Sequence, residues 1–382
     1  MKDALDVVMA WQLRHPGTTD PKEAIEEVRQ KRGELPSALV RHFLQLTIRP
    51  LFAKTRLSAI TAQGRKNTRE ILPERMTMER EDESVTKPWK SGKDAVALDL
   101  LRWVMLALDE RLVEEVWHML VPPVLTLLDD WEASYKRTGA ELLLQLLEAT
   151  PPLLLERTGL GEVFEDALMP CLSYVPTVTP EDESIRLLTA VYPTLVALAK
   201  VRHPDAPAAG SRMTAESARQ SRIKFLDRLV RKGVVQGYSL AEQYPRIVAV
   251  LLRQLIPLLD ELGIEALKHL QYIMPILTAT LSHPLGAAEI STLLAGVKAM
   301  QAVILNCWPR MSEYRGEVLK GLTLCWLGVE GQNGEQATRL KTELQETVKL
   351  LRAALGDQSS FDEDCAMLAA ADGRLEALLS VQ

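Results

Sequence analysis

Six histidines, four cysteines and fifty-one carboxylates are the side chains in this chain able to hold a metal, attack an electrophile or move a proton. The histidines stand at 15, 42, 118, 203, 269 and 283, never four residues apart and never beside a cysteine at ligand spacing, so no zinc pattern emerges. Cys171, Cys307, Cys325 and Cys365 are far apart, form no CxxC pair, and sit among apolar neighbours. There a thiol behaves as a small hydrophobe, and the usage suits a reducing intracellular compartment. Gly92-Lys93 is followed by Asp94, which breaks the phosphate-loop pattern, and Gly159-Leu160-Gly161 opens a helix without a preceding strand. GxSxG and HExxH do not occur. Asp129-Asp130 and Glu181-Asp182-Glu183 stand where a second helix begins, as helix-start acids do. Paired carboxylates in a water-poor pocket are what acid–base catalysis requires, and no such pair is suggested. The expectation is a chain with no catalytic, cofactor or metal site, and not an enzyme. An all-helical enzyme without a recognisable motif is the less favoured alternative.

Charge narrows the partners. With 45 basic and 51 acidic residues the net charge is −6, which argues against a generally basic nucleic-acid binder. Lys54, Arg56, Arg65, Lys66 and Arg69 cluster near the N-terminus and read as a solvated helix face. The longest uncharged stretch, His269 to Ala288, contains Pro275, His283, Pro284 and Gly286. It reads as two helices and a turn, so no membrane span is expected, and no signal-peptide pattern opens the chain. Among the seven tryptophans, Trp103, Trp117, Trp131, Trp308 and Trp326 lie in or beside apolar helices and are expected mostly in packing. Trp89 lies in a polar stretch, where it reads as a short docking element.

Leu, Ala, Glu, Arg and Lys dominate, all good helix formers, and no segment sustains two-residue alternation. Ile290, Leu293, Leu294, Val297, Met300 and Ile304 mark one helical face; Leu340, Leu344, Val348, Leu351 and Leu355 mark another; Leu142, Leu143, Leu146 and Leu147 mark a third. Apolar helices repeatedly carry Pro-x-Leu, at Pro123, Pro170, Pro257 and Pro275. The interval from Pro123 to Pro170 falls within the roughly 40–47 residues of HEAT or armadillo repeats. A helix pair with one apolar face must stack on its neighbours to bury it. The fold class expected is therefore all-α, a HEAT/armadillo-like α-solenoid of stacked antiparallel helix pairs. Its parts are an N-terminal helical segment (1–72), an exposed or disordered loop (73–94), a HEAT-like block (95–202), a linker (203–218) and a C-terminal HEAT-like block (219–382).

The run from Leu127 to Leu143 contains Asp129, Asp130 and Trp131, then Tyr135-Lys136, then Gly139 and a Leu-rich helix. It resembles the signature of the Tel-two-interacting protein 2 family, the smallest HEAT-repeat subunit of the TTT (Triple-T) co-chaperone complex. The match is sharp over that run and looser from about Ala95 to the C-terminus; Met1 to Asp94 shows no matching pattern. As one HEAT turn, the acids would start the second helix, Lys136 and Arg137 would pair with them or with the preceding repeat, and Gly139 would permit close packing. The resemblance implies a non-catalytic scaffold that joins the two larger TTT solenoid subunits. It would act indirectly, through heat-shock protein 90 and a RuvB-like ATPase adaptor, on the maturation and stability of phosphatidylinositol-3-kinase-related kinases (PIKKs). The implied setting is cytoplasm and nucleus, with DNA-damage and TOR signalling downstream. Another HEAT or armadillo adaptor, for transport or a phosphatase, is the alternative. Trp308, Arg310, Tyr314 and Trp326 surround a helix break and are of the types that dominate binding hot spots, so they are the candidate partner-binding residues.

Overall fold

The computed structural model describes residues 35–52, 59–61, 63–67, 87–90, 96–176, 178–356 and 358–380. Helix α1, Leu35–Phe43, runs through a π-helical turn, Leu44–Ile48, into Arg49–Phe52. Helices α2 (Val96–Leu106), α3 (Glu110–Leu128) and α4 (Ala133–Glu148) follow. Asp109 starts α3 by accepting the Leu112 amide at 2.8 Å, which satisfies one of the donors a helix start leaves open. α5 (Pro152–Thr158) and α6 (Leu160–Leu168) are separated at Gly159, whose φ of +70° is the left-handed value that ends one helix and re-aims the next. α7, Glu181–Arg202, has three acids in its first turn and Lys200 and Arg202 in its last, both ends matched to the helix dipole.

α8, Ala215–Arg228, opens with a Thr214–Ser217 capping box. It continues through a second π-helical turn, Leu229–Val235, into α9, Gln236–Ala241. Then come α10 (Pro245–Leu262), α11 (Leu270–Leu281), α12 (Ile290–Asn306), α13 (Met311–Gly328), α14 (Glu335–Ala354), α15 (Gln358–Ala371) and α16 (Glu376–Leu379). Among the described residues there is no strand, only an isolated bridge between Ile60 and Lys66.

Helices α4, α7, α10, α12 and α14 form an inner row, each packed on the next. α3 pairs with α4, and α11 and α13 pack together on the outer side. Leu143, Leu187, Leu195, Leu258, Val297, Met300 and Leu344 are fully buried along that seam. At about 25 cal/mol per Å² of apolar surface, such burial is the main stabilising term. Side-chain hydrogen bonds register the row. The Thr194 hydroxyl donates to the Ala140 carbonyl at 3.0 Å, Thr292 to Pro245 at 2.9 Å, and the Gln301 amide to the Thr347 hydroxyl at 3.0 Å. This is the α-solenoid that the helix-pair pattern predicts, with neighbours burying what no pair could bury alone.

The prolines are distributed more evenly than expected. Pro123 lies inside α3, Pro193 inside α7, Pro257 inside α10 and Pro275 inside α11, so prolines interrupt the backbone hydrogen bonding of helices in both rows. Pro257 and Pro275 do fall in successive helices. Pro170, by contrast, sits in a 3₁₀ turn, Met169–Ser173, that ends the helix before it. The stretch from His269 to Ala288 forms α11, a turn, and the start of a 3₁₀ helix, Gly286–Glu289, that leads into α12, as the two-helices-and-a-turn reading expects. Glu181–Arg202 and Gly286–Gly328 are long and apolar enough to cross a bilayer by length and composition. Half or more of the relevant window is buried against neighbouring helices, at 50% and 61%. Their apolar surface is that of core helices.

One expectation fails over residues 87–90. Within 73–94, expected as an exposed or disordered loop, Pro88–Lys90 forms a 3₁₀ turn that buries Trp89 completely. The indole stacks on Phe52, with centroids 5.4 Å apart and planes at 9°. The flanking residues are polar, so the local composition hid a side chain whose partners lie far away in sequence. Residues 73–86 and 91–94 of that stretch lie outside the described residues, as do Lys54, Arg56 and Arg69. Of the same N-terminal cluster, Lys66 is paired with Glu162.

Candidate interaction site: the signature turn and the exposed edges

The turn between α3 and α4 is built by four residues. Asp129 follows the last residue of α3 as its C-cap, in helical conformation, and Glu132 precedes α4 with extended backbone and no side-chain cap. The two aspartates therefore do not start the second helix, contrary to the sequence reading. Asp130 is 1% exposed, and it turns inward. Its carboxylate takes the Lys87 ammonium at 2.7 Å, the Lys90 ammonium at 3.0 Å and the Glu132 amide at 3.0 Å. Burial alone would raise its pKa. The bonds from Lys87, the Glu132 amide and Lys90 outweigh it and hold the carboxyl below its usual range. Burial likewise pulls Lys90 down, and its bonds to Glu132 and Asp130 carry it above its usual value.

Lys90 is the hub. Its ammonium also reaches Glu132 at 2.7 Å and lies 4.8 Å from the Tyr135 ring and 5.4 Å from the Trp131 ring. Trp131 is 66% exposed, so it is a lid over the ion pair and not the core residue expected of it. Tyr135 is half-buried and meets Trp89 edge-on. The signature thus docks the Lys87–Lys90 segment against α4. Sequence reasoning missed Lys87 and Lys90; the available signal was a Lys-Pro-Trp-Lys run, two cations flanking an aromatic.

Lys136 and Arg137 also depart from expectation. The Lys136 ammonium is buried and donates to the Leu128 carbonyl at 2.6 Å, closing the open C-terminal end of α3, and lies 5.5 Å from the Tyr174 ring. Arg137 pairs with Glu141, one turn along its own helix, at 3.4 Å. Gly139 fulfils its role. A Cβ there would stand 2.9 Å from the Leu128 amide nitrogen, inside any permitted contact. The turn is an anchor, and its chemistry is structural.

The C-terminal candidates separate. Trp308 is 59% exposed, with Leu305 exposed one turn before it. Arg310 pairs with Glu313 at 2.6 Å, and Tyr314 packs half-buried against the core. Trp326 is buried, and its indole N–H donates to the Arg374 carbonyl at 2.9 Å, pinning the turn before α16. Only the Trp308 edge is free to meet a partner as the hot-spot argument requires. Among the described residues, no three His, Cys, Asp or Glu side chains are placed to hold a metal. All four cysteines are buried. Burial pushes the Cys171 and Cys365 thiols up to about 11 and those of Cys307 and Cys325 up to about 12, far from thiolate reactivity.

The model of the Tti2 family matches residues 8–288. The match begins well before the signature, within the N-terminal stretch in which no pattern was legible, and stops short of α12. The curated protein "Nucleotidyltransferase lcsQ" of Purpureocillium lilacinum is 72% identical over 32 residues, which are 8% of this chain and 5% of that protein. So short an overlap says nothing of activity here. No solved structure matches.

Proposed function

The chain belongs to the Tti2 family, and from that premise we propose that it is a non-catalytic scaffold subunit of the TTT co-chaperone complex. In this reading it joins the two larger solenoid subunits in cytoplasm and nucleus. Through heat-shock protein 90 and the RuvB-like ATPase adaptor, it supports the maturation of PIKKs. The observation that carries the reading is the family match over residues 8–288, laid on a row of stacked helices. A solenoid offers extended surface and little enclosed volume, which suits holding proteins more than transforming small molecules.

The test is affinity capture of the tagged full chain, followed by quantitative mass spectrometry. Recovery of two large helical-repeat subunits in stoichiometric amount, with PIKKs at lower abundance, supports the proposal. Stoichiometric transport or phosphatase subunits in their place would overturn it.

A further inference from the structure

The outer face of α8 and its π-helical continuation carries a cluster of four cations, three of them without an ion-pair partner among the described residues. Lys224, Arg228, Arg231 and Lys232 are all exposed and, at spacings of four, seven and eight, share one helix face. Arg228 pairs with Glu165 at 2.6 Å. Lys224, Arg231 and Lys232 have no carboxylate within ion-pair distance among the described residues. The rest of α8 is different: Arg219 meets Glu265 at 3.3 Å and Arg222 meets Asp205.

The π-helical turn has a local cause. Gly233 sits against the buried Tyr192 ring, where a Cβ would stand 2.8 Å from the phenol oxygen. The helix widens there, and the extra residue keeps Arg231 and Lys232 both on the solvent side. Ties to the next outer element set its register: Arg219 to Glu265, Asp227 to Lys268 at 2.7 Å and to His269 at 2.8 Å, and the Tyr238 hydroxyl to Thr280. Those ties bring Arg231 and Lys232 level with Tyr272, which is 46% exposed. α11, on that side, contains no charged residue at all. On the other side, α6 has two exposed acids, Asp166 and Glu162, the latter paired with Lys66 and Arg202, while the buried Glu165 is already taken by Arg202 and Arg228.

From this we propose that the face formed by Lys224, Arg228, Arg231, Lys232 and Tyr272 binds an acidic segment of a partner protein. Clustered on one face, these cations form a local positive patch on a chain whose net charge is −6, which favours an anionic ligand there and not over the rest of the surface. At about 1.5 Å of rise per helical residue the cations span about 12 Å. That is the length of about four residues of extended chain, at about 3.3 Å each. A long polyanion would meet the acidic remainder of the molecule; a short acidic segment meets only the stripe. Tyr and Arg at its edge are the residue types that anchor protein interfaces.

The experiment uses the full chain and a fluorescein-labelled tetraglutamate peptide, read by anisotropy at low and at moderate salt. Oligo-dT of the same length and phosphatidylserine vesicles serve as competing probes. The variant is K224E/R231E/K232E; Arg228 stays, since it holds Glu165. Binding that weakens about tenfold or more in the variant, with an unchanged melting curve, and that falls with salt is the result expected. Should the charge reversal impair folding, K224A/R231A/K232A replaces it and must weaken binding in the same direction. Equal affinity in the variant, no tetraglutamate binding by the unaltered chain, or tighter salt-sensitive binding of oligo-dT or vesicles to the same residues would each overturn the proposal.

Discussion

Trp89 stands edge-on to Tyr135, ring centroids 4.9 Å apart and planes at 88°. That contact, with the Lys90–Asp130 ion pair beside it, fastens a short segment to the first helix of the inner row. Trp89→Ala leaves a cavity between Phe52 and Tyr135, and a loss of about 3–5 kcal/mol is expected. Trp131→Ala removes an exposed ring over Lys90 and is expected to cost about 1 kcal/mol or less. Urea denaturation of the two full-length variants checks the order; a larger loss at Trp131 would contradict the arrangement.

Asp130→Asn strips the charge that holds Lys87 and Lys90. A loss of about 2–3 kcal/mol at neutral pH is expected, mostly from leaving two half-buried ammonium groups without their anion. The unaltered protein has its own acid dependence. The folded-state pKa of Asp130 lies below its unfolded value of about 3.9, so this contribution is complete above about pH 4. It disappears as pH falls through the lower folded value. Denaturation midpoints from pH 7 downward should show the gap between the two proteins closing only in that acid range.

His203 gives a second, separate window. Burial, with Arg202 and Arg222 adding to it, lowers its pKa to about 4, and its Nδ1 has no hydrogen-bond partner. The folded state therefore resists a proton that the unfolded state accepts near pH 6.5, and stability falls from about pH 6.5 down to about pH 4. His269, also held below its usual value by burial despite Asp227, acts in the same direction. His203→Gln is expected to flatten the slope of stability against pH across that interval; an unchanged slope would assign it to His269 or to other groups.

Gly139→Val forces a branched side chain against the Leu128 backbone. Overpacking at such contacts costs about 1–3 kcal/mol, and more where the obstacle is main chain. Lower midpoints with unchanged helical content would place the fault at the α3–α4 contact. A midpoint equal to that of the unaltered chain would show that α3 can withdraw.

How far the sequence spoke depended on the range of each interaction. The periodic stripes of α12 and α14 and the acidic start of α7 are local patterns, and helices form where they predict. Gly139 was legible because a small residue in a Leu-rich helix has few other uses. Trp89 and Trp131 were read the wrong way round. One lies among polar neighbours and the other beside an apolar run, yet burial was decided by Phe52 and Tyr135, distant in sequence. The inward turn of Asp130 was hidden for the same reason, since Lys87 and Lys90 lie 43 and 40 residues away. The stripe at Lys224–Lys232 was equally invisible, because which cations lack an ion pair among the described residues depends on carboxylates distant in sequence, as Glu165 is from Arg228.

The inner row has a mechanical consequence. Each of its helices rests on the next, and few ties skip a neighbour, so force applied at the two ends passes through every interface in series. A small rotation at each interface adds along the stack, and the ends can travel far while no single contact is displaced much. The molecule would stretch as a coil spring does, with a compliance that is the sum over its layers.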